Sequence, residues 1–145
     1  MTTSTSHSAE QRKNTLLAEM DKLIDEKVPA KDRAAAKAFA ASYYREMDPE
    51  DFATRDAASW CEIALNHLRF GQEFQTGAAK MRIFSPKMDE HGWTSSTTVI
   101  EFINDDMPFL VDSIAMEINR QGIATHFVIH PLFDASRDNH GQLIE

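Results

Sequence analysis

The sequence has little of several features that would identify familiar kinds of site or location. It has one cysteine, Cys61, so no internal disulfide can form, which agrees with a reducing cytoplasm. It has five glycines, and none falls in a GxGxxG or GxxxxGK pattern, so no nucleotide phosphate loop of a recognised type is present. No stretch approaches the roughly 18 apolar residues of a transmembrane helix, and the polar first residues lack the core of a signal peptide.

Basic residues are also fewer than acidic residues. The chain has 15 Lys and Arg residues against 23 Asp and Glu residues, which gives a formal net charge of −8. Binding to nucleic acid or to anionic membranes without sequence or lipid specificity requires basic patches. We therefore expect neither nucleic acid nor a membrane among the partners of this chain.

The composition that remains is that of an ordinary soluble domain. The 145 residues are 42% hydrophobic and 26% charged, enough for one small α/β domain preceded by helices. The Ser/Thr-rich residues 1–8 are predicted to form a disordered tail. Residues 9–76 are predicted to form a helical segment, and residues 79–145 an α/β domain.

The helical segment carries its own start and stop signals. Leu16, Leu17, Met20, Leu23 and Ile24 form an apolar stripe at helical spacing within residues 9–27. Pro29 is predicted to end this helix, and a second one follows over residues 30–47. Asp48 before Pro49 is typical of a capped helix start, and so is Asp56 before a helix predicted over residues 57–75.

Residues 97–133 organise the second part of the chain. Residues 97–104 have the β-branched and aromatic composition of a strand, and residues 107–121 have an apolar helical stripe. Asp105 and Asp106 are predicted to cap this helix, with Pro108 in its first turn and Gly122 just after its end. Residues 123–133 are predicted to form a second strand, which makes a β-α-β unit with a right-handed crossover.

Two further strands are predicted around this unit, one before it at residues 80–85 and one after it from residue 142. Residues 80–85 alternate as a strand would, and residues 93–104 are its simplest antiparallel partner. Residues 134–141 read as a turn, and residues 142–145 begin one more strand. The fold class is thus α+β, a helical segment followed by an antiparallel sheet with one crossover helix.

These residues also resemble a known family. The segment NDDMPFLVDSIAMEINRQGIATHFVIHPLF, together with KMRIFSPKMDEHGWTSSTTVIEF before it, resembles the N-terminal region of the large-subunit class of bacterial NAD-specific glutamate dehydrogenases. The part DDMPFLVDSIAMEINRQGIATH is similar to the first half of an ACT domain, a ferredoxin-like βαββαβ regulatory module that often binds amino acids. ACT domains usually have a glycine after the proline of the first loop, where this sequence has Phe109.

The resemblance implies a regulatory or assembly domain, without catalytic residues of its own. An ACT-like fold has a second helix and a fourth strand that this sequence lacks, so we expect a fragment of a longer protein. The parent enzyme is expected to convert L-glutamate and NAD to 2-oxoglutarate, ammonia and NADH in the cytoplasm, with NAD bound outside this fragment. Its expected partners are other domains and subunits of the parent, in a homo-oligomer, and an amino-acid effector. The alternative is a purely structural module with no small ligand, which the acidic balance and Phe109 favour.

The candidate effector site is the loop before the predicted crossover helix, where helix N–H groups could hold a carboxylate. Its residues are Asn104, Asp105, Asp106, Met107, Phe109 and Leu110.

The remaining reactive side chains favour structural interpretations. His126 and His130, on a strand, would lie about 13 Å apart at roughly 3.3 Å per residue, too far to share a metal ion. Cys61 has no adjacent base, which indicates a buried thiol rather than a nucleophile. His67 is expected at the surface or between helices, and Trp60 and Trp93 in the core or at an interface. We therefore predict no catalytic residue and no metal ligand.

Overall fold

The structure, a computed structural model, describes residues 2–144 as a group of helices followed by a small sheet. The helices are α1 (Thr2–Lys27), a 3₁₀ turn (Ala30–Asp32), α2 (Arg33–Tyr43), α3 (Pro49–Phe52) and α4 (Ala57–Phe70). The second part contains β1 (Lys80–Phe84), α5 (Met88–His91), β2 (Val99–Ile103) and α6 (Leu110–Arg120). The predicted α+β class is confirmed. Within residues 2–144, no helix combines the length and the apolar character that spanning a membrane requires.

Local signals place most of the helix ends. The carboxylate of Asp48 accepts the Glu50 N–H at the start of α3, and that of Asp56 accepts the Ser59 N–H at the start of α4, both at 2.8 Å. Both predicted caps are confirmed. They can be predicted from sequence because a capping aspartate bonds N–H groups two or three residues further along the chain and needs no distant partner. Helix α4 ends at Phe70, five residues before the predicted end, and Gly71 is its C-cap residue.

Helix α1 begins earlier than the sequence indicates. It starts at Thr2, so residues 2–8 of the predicted disordered tail belong to the helix, while Met1 lies outside the described residues. Serine and threonine are weak helix formers, but adding residues to an existing helix costs much less than starting one. The strong pattern of residues 9–27 therefore supports the extension.

The hydrophobic core lies between the helices. Met20 and Ile24 of α1 meet Ala36 and Ala40 of α2 there. The other buried members of the cluster are Tyr43, Tyr44, Phe52, Ala57, Trp60, Cys61, Ala64 and Leu65. The apolar stripe predicted for α1 is thus confirmed as the side of the helix that faces the core.

The sheet consists of two antiparallel strands, as predicted for residues 80–85 and 93–104. Arg82 lies opposite Glu101, and Ile83 lies opposite Ile100. Because side chains alternate along a strand, Arg82 and Glu101 share the face towards α4, and Met81, Ile83 and Ile100 share the opposite face. Met81 and Ile83 are more than half exposed. The charged pair therefore faces inwards beside the partly buried Phe84, Val99 and Ile103. The outer face carries apolar side chains where a solvent-facing sheet surface is usually polar.

Helix α6 ends as predicted, but no strand follows it. Gly122 has a φ of 76°, its N–H bonds to Asn119, and the Ile123 N–H bonds to Ile118, which is a Schellman motif. The strand predicted at residues 123–133 does not form, and that part of the prediction is wrong. We call residues 123–133 the extended segment. This segment lies along the helical group and does not pair with β2. Its aromatic and β-branched side chains pack against the helices.

The end of the described chain is also less regular than predicted. Instead of a strand from residue 142, single bridges pair Gln142 with Glu73 and Leu143 with Arg137. The Leu143 N–H also bonds to the Gln72 carbonyl at 2.7 Å. These contacts attach residues 137–143 to the chain that follows α4.

Candidate functional site

The predicted effector loop is a surface loop between β2 and α6. Asp105, Asp106, Met107 and Phe109 are exposed, and Asn104 and Leu110 are partly buried. The carboxylate of Asp105 accepts the backbone N–H of Gly77 at 2.8 Å, which attaches the loop to the chain before β1.

Neither aspartate of the loop caps α6. The N-cap residue is Phe109, no side chain makes a capping hydrogen bond, and Pro108 precedes the helix instead of lying in its first turn. The predicted capping role of Asp105 and Asp106 is therefore wrong. The helix starts at Leu110, four residues after Asp106, so the carboxylates lie too early in the chain to reach its free N–H groups.

Phe109 adopts an unusual backbone conformation. Its φ is 62°, and among residues 2–144 it is the one residue other than glycine with a positive φ. Its side chain is 77% exposed. This conformation costs an L-residue about 1–2 kcal/mol and suits glycine. The loop thus has the backbone shape that a glycine would favour at the position where ACT domains have one, but it presents an aromatic ring to solvent.

A surface recess of about 410 Å³ lies close to this loop. It is lined by Glu73, Phe74, Gln75, Ala78, Ala79 and Lys80. The ammonium group of Lys80 donates to the Phe70 carbonyl at 2.8 Å and to the Glu73 carbonyl at 3.0 Å. The recess is adjacent to the loop because Lys80 pairs with Ile103 and Gly77 bonds Asp105. Its volume falls within the range of small-molecule sites.

A polar network joins the sheet to the helices. Glu101, 5% exposed, forms an ion pair with Arg82 across the sheet. Its other oxygen lies 3.8 Å from Nδ1 of His67 on α4. His67 contacts the Tyr43 hydroxyl at 2.9 Å through Nδ1 and the Phe102 carbonyl at 3.1 Å through Nε2. One imidazole thus connects α2, α4 and β2.

These partners determine the hydrogen positions of the network. The Phe102 carbonyl only accepts, so Nε2 of His67 carries the proton, and Nδ1 of a neutral ring accepts from the Tyr43 hydroxyl. Burial raises the pKa of Tyr43, and the negative charge of Glu101 raises it further, so the hydroxyl keeps the proton that it donates. The network could not be predicted from the sequence, because Tyr43, His67, Arg82 and Glu101 are each at least 15 positions apart in the chain.

The extended segment lies against the helical group through alternate side chains. Phe133 stacks on Phe39 with ring centres 4.7 Å apart, Phe127 meets Trp60 edge-on at 6.5 Å, and Ile129 packs on the core. A cleft of about 60 Å³ separates residues 128–131 from the C-terminal end of α2. This volume is too small for an amino acid, since ligand pockets measure about 300–1,000 Å³.

An arginine between two tryptophans fixes the chain after α5. The Arg55 guanidinium lies 5.3 Å from the ring centre of Trp93 and 5.9 Å from that of Trp60, and it donates to the Thr94 carbonyl at 3.0 Å. Both tryptophans are at least 96% buried (2% and 4% exposed), so their prediction as core or interface residues is confirmed. The Trp93 Nε1–H has no acceptor within the described part of the chain.

The other candidate residues are placed apart from one another. Cys61 is a free thiol in the core, as predicted, and burial raises its pKa, which keeps it protonated and unreactive. His126 and His130 are exposed on the extended segment. Among residues 2–144, no three His, Cys, Asp or Glu side chains lie close enough together to hold a metal ion.

The described residues do not form a dinucleotide site of the doubly wound type. Such a site needs a parallel strand followed by a glycine-rich turn and a helix whose N-terminus meets the pyrophosphate. The two described strands are antiparallel, and Gly71, Gly92 and Gly122 follow the C-terminal ends of helices rather than precede helices. No step of NAD chemistry can therefore be assigned to residues 2–144.

Comparisons with known proteins point to one family. The family described as "Glutamate dehydrogenase, ACT1 domain" matches residues 39–145. The NAD-specific glutamate dehydrogenase of Halomonas elongata is 31% identical over 134 residues, 92% of this chain, and that of Pseudomonas aeruginosa is 29% identical over 107 residues, 74% of this chain. No solved structure matches.

The matched region is a small part of these relatives, since the chain spans 8% of the Halomonas protein and 7% of the Pseudomonas protein. The family match begins within α2 and so includes the sheet, α6, the extended segment and the helices that they contact. This chain belongs to the ACT1 domain family of glutamate dehydrogenases.

Proposed function

We propose that this chain is a regulatory and assembly domain of an NAD-dependent glutamate dehydrogenase and does not carry the chemistry itself. The observation that carries the proposal is the family match over residues 39–145. The antiparallel arrangement of the two described strands, unlike that of a doubly wound dinucleotide site, supports it. The parent enzyme would convert L-glutamate and NAD to 2-oxoglutarate, ammonia and NADH. The single thiol, buried and unpaired, agrees with a reducing cytoplasm.

The regulatory part of the proposal concerns the loop at residues 104–110 and the recess beside it. An amino-acid effector would place its carboxylate either against the Lys80 ammonium group in the recess or against the N–H groups that begin α6, since each of these favours an anion. Binding regulates the parent only if the effector prefers one conformation of this domain over another. The contact between Asp105 and Gly77 is the part of the loop best placed to change.

The isolated chain allows a direct test. With glutamate and NAD it should form no NADH, and calorimetry with the L-amino acids one by one should reveal binding for at least one. Lys80→Met should weaken that binding, whereas Lys87→Met, a lysine outside the recess, should not. Turnover by the isolated chain would overturn the non-catalytic assignment.

The apolar outer face of the sheet favours a second candidate, a purely structural module. Met81, Ile83 and Ile100 are exposed together on that face, and Phe109 projects from the loop nearby in the chain. Exposed apolar surface of this kind is typical of protein–protein interaction sites. If no amino acid gives binding heat or a thermal shift, the assembly role alone remains.

The same test can be carried to a longer enzyme. In the Halomonas elongata relative, exchange of the matched region for the present chain should preserve glutamate oxidation, and assembly or effector response should change. Loss of the chemical step with assembly intact would contradict a purely regulatory role.

A further inference from the structure

One ring nitrogen of His67 has two alternative partners. Nε2 is held by the Phe102 carbonyl at 3.1 Å, whereas Nδ1 lies 2.9 Å from the Tyr43 hydroxyl and 3.8 Å from Oε2 of Glu101. The distance to Tyr43 is that of a hydrogen bond, and the distance to Glu101 is too long for one. The ring therefore bonds to α2 and leaves the carboxylate of β2 just out of reach.

The carboxylate of Glu101 has one oxygen in use. Oε1 pairs with Arg82 across the sheet. Within residues 2–144, Oε2 accepts no hydrogen bond, although the Glu101 side chain is only 6% exposed. Buried carboxylate oxygens normally accept hydrogen bonds, so Oε2 is a free acceptor beside the imidazole.

The charged groups around the imidazole are few. Glu101 faces it from β2, and Arg82 of β1 is already committed to that carboxylate. From α2 it meets the Tyr43 hydroxyl, whose pKa is raised by burial, so this group is uncharged. Helix α1 packs on α4 through a pair of Lys27 with a glutamate five residues before His67. Among the described residues, the charge that acts on the ring most closely is thus the carboxylate.

Protonation would change what Nδ1 can bond. Histidine is the side chain that ordinarily gains or loses its charge between pH 5 and 8. Nδ1 of the neutral ring accepts from Tyr43, but both nitrogens of a charged ring donate, so the Tyr43 hydroxyl loses its acceptor. The side chains of His67 and Glu101 are 15% and 6% exposed, so water and salt screen their attraction little. A positive ring therefore favours Glu101 over Tyr43.

We infer that His67 is a pH-operated switch: when neutral, its Nδ1 accepts from Tyr43 of α2, and when protonated, its Nδ1–H donates to Glu101 of β2. The bond from Nε2 to Phe102 is common to both states. Strand β2 continues into the loop at residues 104–110, so acidification strengthens the attachment of the strand that carries this loop. All these contacts lie within the chain, so the switch needs neither an effector nor a second subunit.

Two variants test the exchange of partners through the stability of the whole chain. Urea denaturation at pH 8 and pH 5.5 covers a range in which carboxylates ordinarily stay ionised. Tyr43→Phe should lower the folding equilibrium constant about tenfold at pH 8, where a buried hydrogen bond is lost, and less than about threefold at pH 5.5. Glu101→Gln should show the opposite trend, with a cost about fivefold greater at pH 5.5, since Glu101 favours the protonated ring.

Two histidine variants serve as controls. In a His67→Gln background the side chain at residue 67 cannot titrate, so the effects of Tyr43→Phe and Glu101→Gln should no longer change between the two pH values. His126→Gln removes an exposed imidazole of the extended segment. It should leave both pH dependences as they are.

Nuclear magnetic resonance of the ring nitrogens tests the switch in the unaltered chain, without relying on stability. The His67 signals are those that His67→Gln removes. At pH 8 they should be those of the tautomer with the proton on Nε2. The pH at which the ring takes up its second proton should fall in Glu101→Gln and rise in Tyr43→Phe.

Three results would overturn the inference. They are a proton on Nδ1 at pH 8, a titration that moves in the same direction in both variants, and stability costs that do not change between pH 8 and pH 5.5. None of them involves NADH formation or amino-acid binding, so the proposed function stands or falls separately.

Discussion

The helical group and the part of the chain from β1 onwards are stabilised in different ways. The helices enclose a continuous core, in which Tyr44, Phe52 and Cys61 are completely buried. From β1 to residue 144, the buried side chains are Pro86, Trp93 and Glu101, and none of the residues of α6 is buried. The helices therefore have most of what an independent fold needs, whereas the sheet, α6 and the extended segment leave apolar surface for other contacts.

The largest expected effect compares one aromatic residue from each part. Trp60 stacks on Phe52 with ring centres 5.2 Å apart and donates its indole N–H to the Phe52 carbonyl at 2.6 Å. Trp60→Ala should lower the free energy of unfolding by about 3–5 kcal/mol, measured by urea denaturation. Phe109→Ala, at an exposed side chain, should change it by less than about 0.5 kcal/mol. Similar losses for the two variants would contradict the contrast drawn here.

The next effect concerns the charged pair between the two parts. Glu101→Gln removes the charge that Arg82 faces, and it should destabilise the chain by about 2 kcal/mol. This is less than the 3–5 kcal/mol typical of a fully buried pair, because the Arg82 side chain is 32% exposed and water can solvate it.

The control for this variant is a surface pair on α6. Glu117 bonds Arg120 where both side chains are more than half exposed, so Glu117→Gln should have no measurable effect on unfolding. If Glu101→Gln were equally silent, the network of Glu101, His67 and Tyr43 would not hold the sheet on the helices.

A smaller difference in stability is expected between replacing an aspartate that caps a helix and replacing one that does not. Asp56→Ala should cost about 1 kcal/mol, because the Ser59 N–H loses its partner, and Asp106→Ala should cost nothing measurable. Hydrogen bonds from Ser59 lower the pKa of Asp56. The stabilisation is therefore complete above the aspartate pKa of the unfolded chain and is lost as the pH falls through the lower folded value.

A pH series of urea denaturation curves can check this sign. The difference between the parent chain and Asp56→Ala should shrink on acidification. A difference that grows towards acid pH would show that the carboxylate does not act as a charged acceptor.

The smallest expected effect is a gain in stability, whereas the variants above lose stability. Phe109→Gly relieves the positive φ, worth about 1–2 kcal/mol, and costs about 0.5–1 kcal/mol of backbone entropy, so it should stabilise the chain by roughly 0.5 kcal/mol. Because Phe109→Ala keeps the strain, Phe109→Gly should be the more stable of the two in thermal denaturation. The opposite order would mean that the backbone at residue 109 is not strained.

The helix starts and ends that depend on residues close together in the chain could be predicted from the sequence. The Asp48 and Asp56 caps and the glycine after α6 act over a few residues, so the pattern contains all the information needed. The same reasoning failed at Asp105 and Asp106, because α6 starts only at Leu110, and the Asp105 carboxylate accepts the N–H of the distant Gly77. Sequence spacing alone does not specify such a distant partner.

Features that depend on distant partners were predicted less well. The composition of residues 123–133 favours a strand, but a strand also needs a neighbour, which composition does not specify, and none forms here. The network of Tyr43, His67 and Glu101 was missed because its residues come from three elements. The effector loop, named from a resemblance, is a surface loop beside a recess, and its ligand remains a prediction.

The inward-facing pair of Arg82 and Glu101 has a consequence for how the two strands find each other. If β2 slid by one residue along β1, Glu101 would turn to the solvent face and an isoleucine or phenylalanine would replace it beside His67. The imidazole would lose its carboxylate neighbour, and Arg82 would lose its partner. The ion pair thus makes misaligned pairings unfavourable, in a hairpin whose outer apolar face alone would accept several alignments.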